Sequence, residues 1–100
     1  MRITEYEITA IKKLAQKIFG KGTIVYLFGS RVDDNKKGGD IDLFITNKEK
    51  SNLTILSKIE FLTELKLIIG DQKIDVIPDN SHTRQKKQFY HSITKQAIEL

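Results

Sequence analysis

Ile24-Val25-Tyr26-Leu27-Phe28-Gly29-Ser30-Arg31 and, after a polar loop, Gly39-Asp40-Ile41-Asp42-Leu43-Phe44-Ile45 form the stretch on which the fold turns. The first five residues are apolar, mostly β-branched or aromatic, and run into a Gly-Ser step, as a buried strand closed by a tight turn does. A second apolar run, Leu43-Phe44-Ile45, follows the paired aspartates. The whole therefore reads as strand, turn, short polar segment, strand. Side chains alternate faces along a strand, so Asp40 and Asp42 project to the same side. Two carboxylates held side by side repel each other unless a cation sits between them, and Mg²⁺ suits oxygen ligands. Such a metal site, beside a Gly-Ser turn that can receive phosphate oxygens, points to chemistry on a nucleotide.

The rest of the chain supplies packing around this stretch. Thr4 and Glu7 have capping-box spacing. Ile11, Leu14, Ala15 and Ile18 follow helical spacing and Gly20 sits where a helix stops, which predicts an amphipathic helix over 4–19. Strands are expected at 23–28 and 41–46, with a short helical turn beginning at Ser30. Ser51 to Ile69 reads as the longest helix, its buried stripe either Leu53, Leu56, Ile59 and Leu62 or Ile55, Ile59, Leu62, Leu65 and Ile69. Gly70 ends it, and a third strand follows at 73–77, closed by Pro78, which cannot continue a ladder. The segment from Thr83 to Glu99 is read as helical, with Phe89, Ile93 and Ala97 spaced by four. Helix, strand, strand, helix, strand, helix is an α+β order, with no repeat or linker.

Gly29-Ser30, nine intervening residues and Asp40-Ile41-Asp42 resemble the defining motif of the DNA polymerase β-like nucleotidyltransferase superfamily. The resemblance covers residues 24 to 78 and is nearest to the minimal nucleotidyltransferases, often antitoxin partners of helical HEPN-domain ribonuclease toxins. Many relatives carry a serine before the first aspartate, where this chain has Gly39. The resemblance implies the polymerase β-like fold, a small mixed sheet of about three or more strands flanked by helices. It also implies a third acidic residue on a later strand, and Lys73-Ile74-Asp75-Val76-Ile77 offers Asp75, facing away from whatever Ile74 and Val76 bury. By that resemblance Asp40 and Asp42 would bridge two Mg²⁺ ions, and Asp75 would complete the ion nearer the acceptor and help deprotonate its hydroxyl. Gly29 and Ser30 would contact the β and γ phosphates of ATP. Arg31, read from its position, can touch a phosphate, pair with a carboxylate or form a surface salt bridge.

Composition narrows the partners. One hundred residues are read as a single domain, with no room for a separate acceptor-binding domain. Seventeen basic against thirteen acidic residues, a formal net charge of +4, favour anionic partners without naming one. The absence of cysteine excludes disulfides and thiolate metal sites. No apolar leader and no run of membrane-spanning length is present, so a soluble cytoplasmic protein with no membrane partner is expected. Asp33 and Asp34 read as turn residues, Lys36 and Lys37 as a solvated loop that can also reach a triphosphate, and His82 and His91 lack ligand spacing. Arg84, Lys86 and Lys87, near Phe89 and Tyr90, read as a basic outer helix face or a site for RNA or an acidic partner. Direct nucleic-acid binding is not expected, and oligomeric state is open.

Three functions follow. The first is transfer of AMP from ATP to a hydroxyl on a HEPN partner protein by an antitoxin. The second is neutralisation of that toxin by binding without catalysis. The third is nucleotidylation of a small molecule such as an aminoglycoside, with a partner subunit supplying the acceptor site.

Overall fold

Thr4 starts the first helix, α1 (Glu5–Phe19), by the expected capping box. Its hydroxyl accepts from the Glu7 N–H at 3.1 Å, and the Glu7 carboxylate accepts from the Thr4 N–H at 3.0 Å, an exchange that stabilises a helix by roughly 1 kcal/mol. The computed structural model describes residues 2–32 and 39–100. Asp33, Asp34, Lys36 and Lys37 therefore lie outside the described residues. β1 (Ile24–Phe28) and β2 (Ile41–Thr46) pair antiparallel, with a single 3₁₀ turn at Gly29–Val32 leaving β1. β3 (Ile74–Pro78) pairs parallel to β2, and the connection between them carries a long helix, α2 (Ile55–Ile69).

Alternation along the strands separates the two faces of this sheet. Val25, Leu27, Ile41, Leu43, Ile45, Ile74 and Val76 are buried in one cluster with Ile11, Leu14, Ala15 and Phe19 of α1 and Phe61 and Leu65 of α2. The odd-numbered residues of β2 thus face the helices, and Asp42, Phe44 and Thr46 face the other way.

α2 departs from the sequence reading in two respects. It begins at Ile55 rather than Ser51, because Thr54 adopts an extended backbone and its hydroxyl caps the Ser57 N–H at 3.1 Å. Before it come a 3₁₀ turn (Lys50–Asn52) and the buried Leu53. Its buried face is built on Phe61 and Leu65, flanked by the partly buried Leu62 and Ile69. Ile55, Leu56 and Ile59, expected inside, are exposed, the first two at 76% and 79%, as is Leu67 at 82%. The cause is Phe61, whose ring packs on Phe19 with centroids 5.3 Å apart. Burying the largest side chain sets the rotation of the helix and turns the aliphatic residues opposite it to solvent.

The C-terminal segment is also more divided than expected. It forms two helices, α3 (Ser81–Gln85) and α4 (Lys87–Gln96), broken at Lys86, and then a short strand, β4 (Ile98–Glu99). Ala97 turns extended, which lets β4 pair antiparallel with the otherwise open edge of β1 and brings the Leu100 N–H within 2.9 Å of the Val25 carbonyl. A sheet edge covered in this way no longer offers unpaired backbone groups. The result is a four-stranded mixed sheet in the order β3-β2-β1-β4, an α+β architecture consistent with the polymerase β-like nucleotidyltransferase fold. No helix among the described residues is long and apolar enough to cross a membrane.

Candidate active site

The register of the central strands sets a row of side chains on the face away from the main core. Asp42 stands opposite Phe28 of β1 on one side and Asp75 of β3 on the other. Asp40 lies one residue before β2, on the same side as Asp42. Each of Asp40, Asp42 and Asp75 offers a carboxylate oxygen, and the three oxygens lie within 4.8 Å of one another. Asp40 and Asp42 are half-buried and Asp75 is exposed.

This crowding has an electrostatic cost. The Asp42 carboxyl is raised to about 6, first by burial, then by the charges of Asp75 and Asp40 and a side-chain hydrogen bond with Asp75, while Lys73 opposes the shift. The Lys73 ammonium lies 3.6 Å from an Asp40 oxygen, but it is an exposed, flexible cation at the rim. Three hard oxygen donors, one of them held in a partly buried position where its charge is disfavoured, fit a small divalent cation.

Gly29 makes the cluster sterically possible. Its φ is +77°, and a Cβ there would overlap the Asp42 carboxylate, with Oδ2 nearest. The backbone of the Gly-Ser step has therefore to be bare at this point so that Asp42 can lie over it. Gly29 thus lies against Asp42, and the Ser30 backbone follows it in the same 3₁₀ turn.

The Arg31 guanidinium is engaged with three carbonyl oxygens. It donates to the Arg2 carbonyl at 2.9 Å, to the Gly39 carbonyl at 3.3 Å and to Gln72 Oε1 at 3.3 Å. These bonds tie the N-terminal segment and the turn before β3 to the residue preceding Asp40, which makes Arg31 a brace for the site. Arg84, read as part of a basic outer face, is likewise engaged. It grips the buried Asp79 with Nε–Oδ1 at 2.7 Å and Nη2–Oδ2 at 2.9 Å, leaving Lys86 and Lys87 without it.

Lys73 is the site residue that the sequence reading passed over. Its place immediately before Ile74-Asp75 was visible, but its approach to Asp40 follows from the pairing of β2 with β3, in which the Ile41 N–H donates to the Lys73 carbonyl at 3.0 Å. Taken with the turn, the arrangement can hold a divalent cation on one side and present bare backbone to an anion on the other.

A family model described as Polymerase beta, Nucleotidyltransferase matches residues 9–100 of the chain, from within α1 through β4. No curated protein matches it.

Proposed function

Because the chain belongs to the polymerase β nucleotidyltransferase family, we propose that it transfers a nucleoside monophosphate, AMP from ATP, to a hydroxyl on a partner protein. The observation that carries this reading is the convergence of Asp40, Asp42 and Asp75 beside the Gly29-Ser30 turn. Asp40 and Asp42 are the residues that would hold Mg²⁺ against the triphosphate, with Asp75 completing the set. When bound, Mg²⁺ supplies charge neutralisation and a clamp on the attacking and leaving oxygens.

The chain's own residues do the remainder. Gly29 and Ser30 present backbone to the β and γ phosphates, where glycine allows close approach. Asp75, the exposed member of the triad, stands where an acceptor can reach it and receives the hydroxyl proton. The acceptor oxygen then bonds to the α-phosphorus, the bond from that phosphorus to the bridging oxygen breaks, and pyrophosphate leaves with the electron pair. Such a reaction is driven by positioning and charge stabilisation more than by covalent chemistry.

The partner in this reading is a helical HEPN-type protein silenced by the modification, which makes the chain a cytoplasmic antitoxin. Support comes from the solvent side of α2, where Ile55, Leu56, Ile59 and Leu67 stand exposed. Beside it runs an apolar groove of about 480 Å³ between α1 and α2, lined by Tyr6, Ala10, Leu14 and Ile68. Exposed apolar surface of this kind is what contact with a helical partner would cover. The same surface favours a second reading, neutralisation by binding alone.

Intact-mass spectrometry on the chain with its co-purified partner, after incubation with Mg²⁺ and ATP, decides between them. The expected result is one added AMP on the partner, absent with Asp42→Asn. Full neutralisation by Asp42→Asn with no mass change would replace catalysis by binding.

A further inference from the structure

The face of the sheet that carries the carboxylates continues below them in two more rows. Phe28, Asp42 and Asp75 form the first; Tyr26, Phe44 and Ile77 the second. The third begins with Ile24 and Thr46 and closes on Asp79, just past β3. Successive rows are two residues apart, about 6.8 Å along the strands. α4 crosses this face, and between it and the sheet lies a cavity of about 290 Å³ lined by Tyr26, Phe44, Thr46, Tyr90, Thr94 and Ala97, with Asp79 at its base.

We propose that this cavity receives the nucleobase of the donor nucleotide whose phosphates the carboxylate row holds. The proposal rests on the nucleotidyltransferase reading above and adds to it where the base is held. Phe44 follows Asp42 by two residues on the same strand and the same face, so a ligand with phosphate at Asp42 has its next portion over Phe44. The walls are aromatic and mutually braced. Phe44 meets Tyr26 at 6.2 Å and the edge of Tyr90 at 5.9 Å between centroids. The Arg84 guanidinium, fixed by Asp79, lies 5.4 Å from the Tyr90 centroid and holds that ring in place.

Asp79 is itself only 2% exposed and is also bonded by the Thr46 hydroxyl at 2.8 Å, so the base of the cavity is built and does not need the ligand to form. Among the described residues the hydroxyls of Tyr26 and Tyr90 make no hydrogen bond, which leaves both for the ring nitrogens or exocyclic groups of a base. Phe44 and Ile93 are buried yet stand apart from the main core cluster, because they belong to this second, site-facing layer. A flat heteroaromatic ring with polar edges is the group that such a slot fits.

The test compares ATP with inorganic tripolyphosphate, each with Mg²⁺, in calorimetric titrations of the full chain and of Tyr90→Ala. Tyr90→Ala is expected to weaken ATP about tenfold, the factor that about 1.4 kcal/mol of stacking represents, and to leave tripolyphosphate unchanged. Since the chain contains no tryptophan, Tyr90→Trp provides a second variant that keeps an aromatic wall. Its fluorescence is expected to be quenched by ATP and not by tripolyphosphate. Equal ATP affinity for the unaltered chain and Tyr90→Ala, or no quenching of Tyr90→Trp by bound ATP, overturns the base site and leaves the phosphate site standing. Failure of the unaltered chain to bind either compound overturns both.

Discussion

A methyl group on Gly29 would occupy the space of the Asp42 carboxylate, and the backbone there has a φ of +77°. Gly22 shares the second property without the first: its φ is +89°, with nothing within 4 Å of an added Cβ. The two glycines therefore separate backbone strain from steric overlap. Gly22→Ala is expected to cost about 1–2 kcal/mol, the ordinary penalty of a left-handed alanine. Gly29→Ala is expected to cost more and, unlike Gly22→Ala, to weaken Mg²⁺ binding, both measured by urea unfolding with and without the ion. Equal losses for the two variants, with Mg²⁺ binding intact, would mean that the overlap is not felt. At this scale the sequence is informative about direction and silent about register. Alternation shows that Asp75 faces away from Ile74 and Val76, and the strand is found with that burial pattern. That Asp75 stands opposite Asp42 depends on how two distant strands align. Arg31 is the converse case: its bonds to Arg2 and Gln72 span 29 and 41 residues, beyond any local pattern.

The two long helices show when periodicity can be read and when it cannot. α1 mixes polar and apolar residues at helical spacing, and its buried face includes Ile11, Leu14 and Ala15, as the spacing predicts. α2 is apolar nearly all round, so several stripes satisfy the same period and only tertiary packing chooses between them. The packing choice is testable in one comparison. Phe61→Ala is expected to destabilise by about 3–5 kcal/mol through loss of a fully buried ring against Phe19. Leu56→Ala, on the exposed side, is expected to stay within about 0.5 kcal/mol. Thermal or urea midpoints that reverse this order would place the other face of α2 inward. β4 had no sequence signal because two residues carry no period; it forms because β1 offers an edge and Ala97 can turn extended.

For the molecule as a whole, the carboxylate cluster couples folding to pH and to metal. Asp42 titrates at about 6 when folded, against an ordinary value of 3.8. A raised acid binds its proton more tightly in the folded chain, so its stabilising contribution is complete below the ordinary value and is lost as pH rises through about 6. Glu7 has the opposite sign. Burial pushes its carboxyl up, but bonds from the Thr4 N–H, Gln72 and the Thr4 hydroxyl, with the charge of Arg31, bring it below its ordinary 4.5. Its contribution is therefore lost only as pH falls below that range. Between about pH 5 and pH 7.5 the metal-free chain is expected to lose thermal stability on the account of Asp42, and added Mg²⁺ to restore more at the higher pH. Melting curves in EDTA and in Mg²⁺ at both values check this, with Asp42→Asn expected to remove the difference. A Mg²⁺ increment independent of pH would detach the ion from this cluster.

The division of β2 into two faces also bears on how such a chain can change. Ile41, Leu43 and Ile45 belong to the core, while Asp42, Phe44 and Thr46 alternate with them on the site face. Altering the second set reshapes what is held over the sheet while the packing of the first stays as it is. With Asp42 kept for the metal, Phe44 and Thr46 can thus be recombined as a specificity cassette, in the laboratory or by drift, on a strand whose foldedness is guarded by its other face.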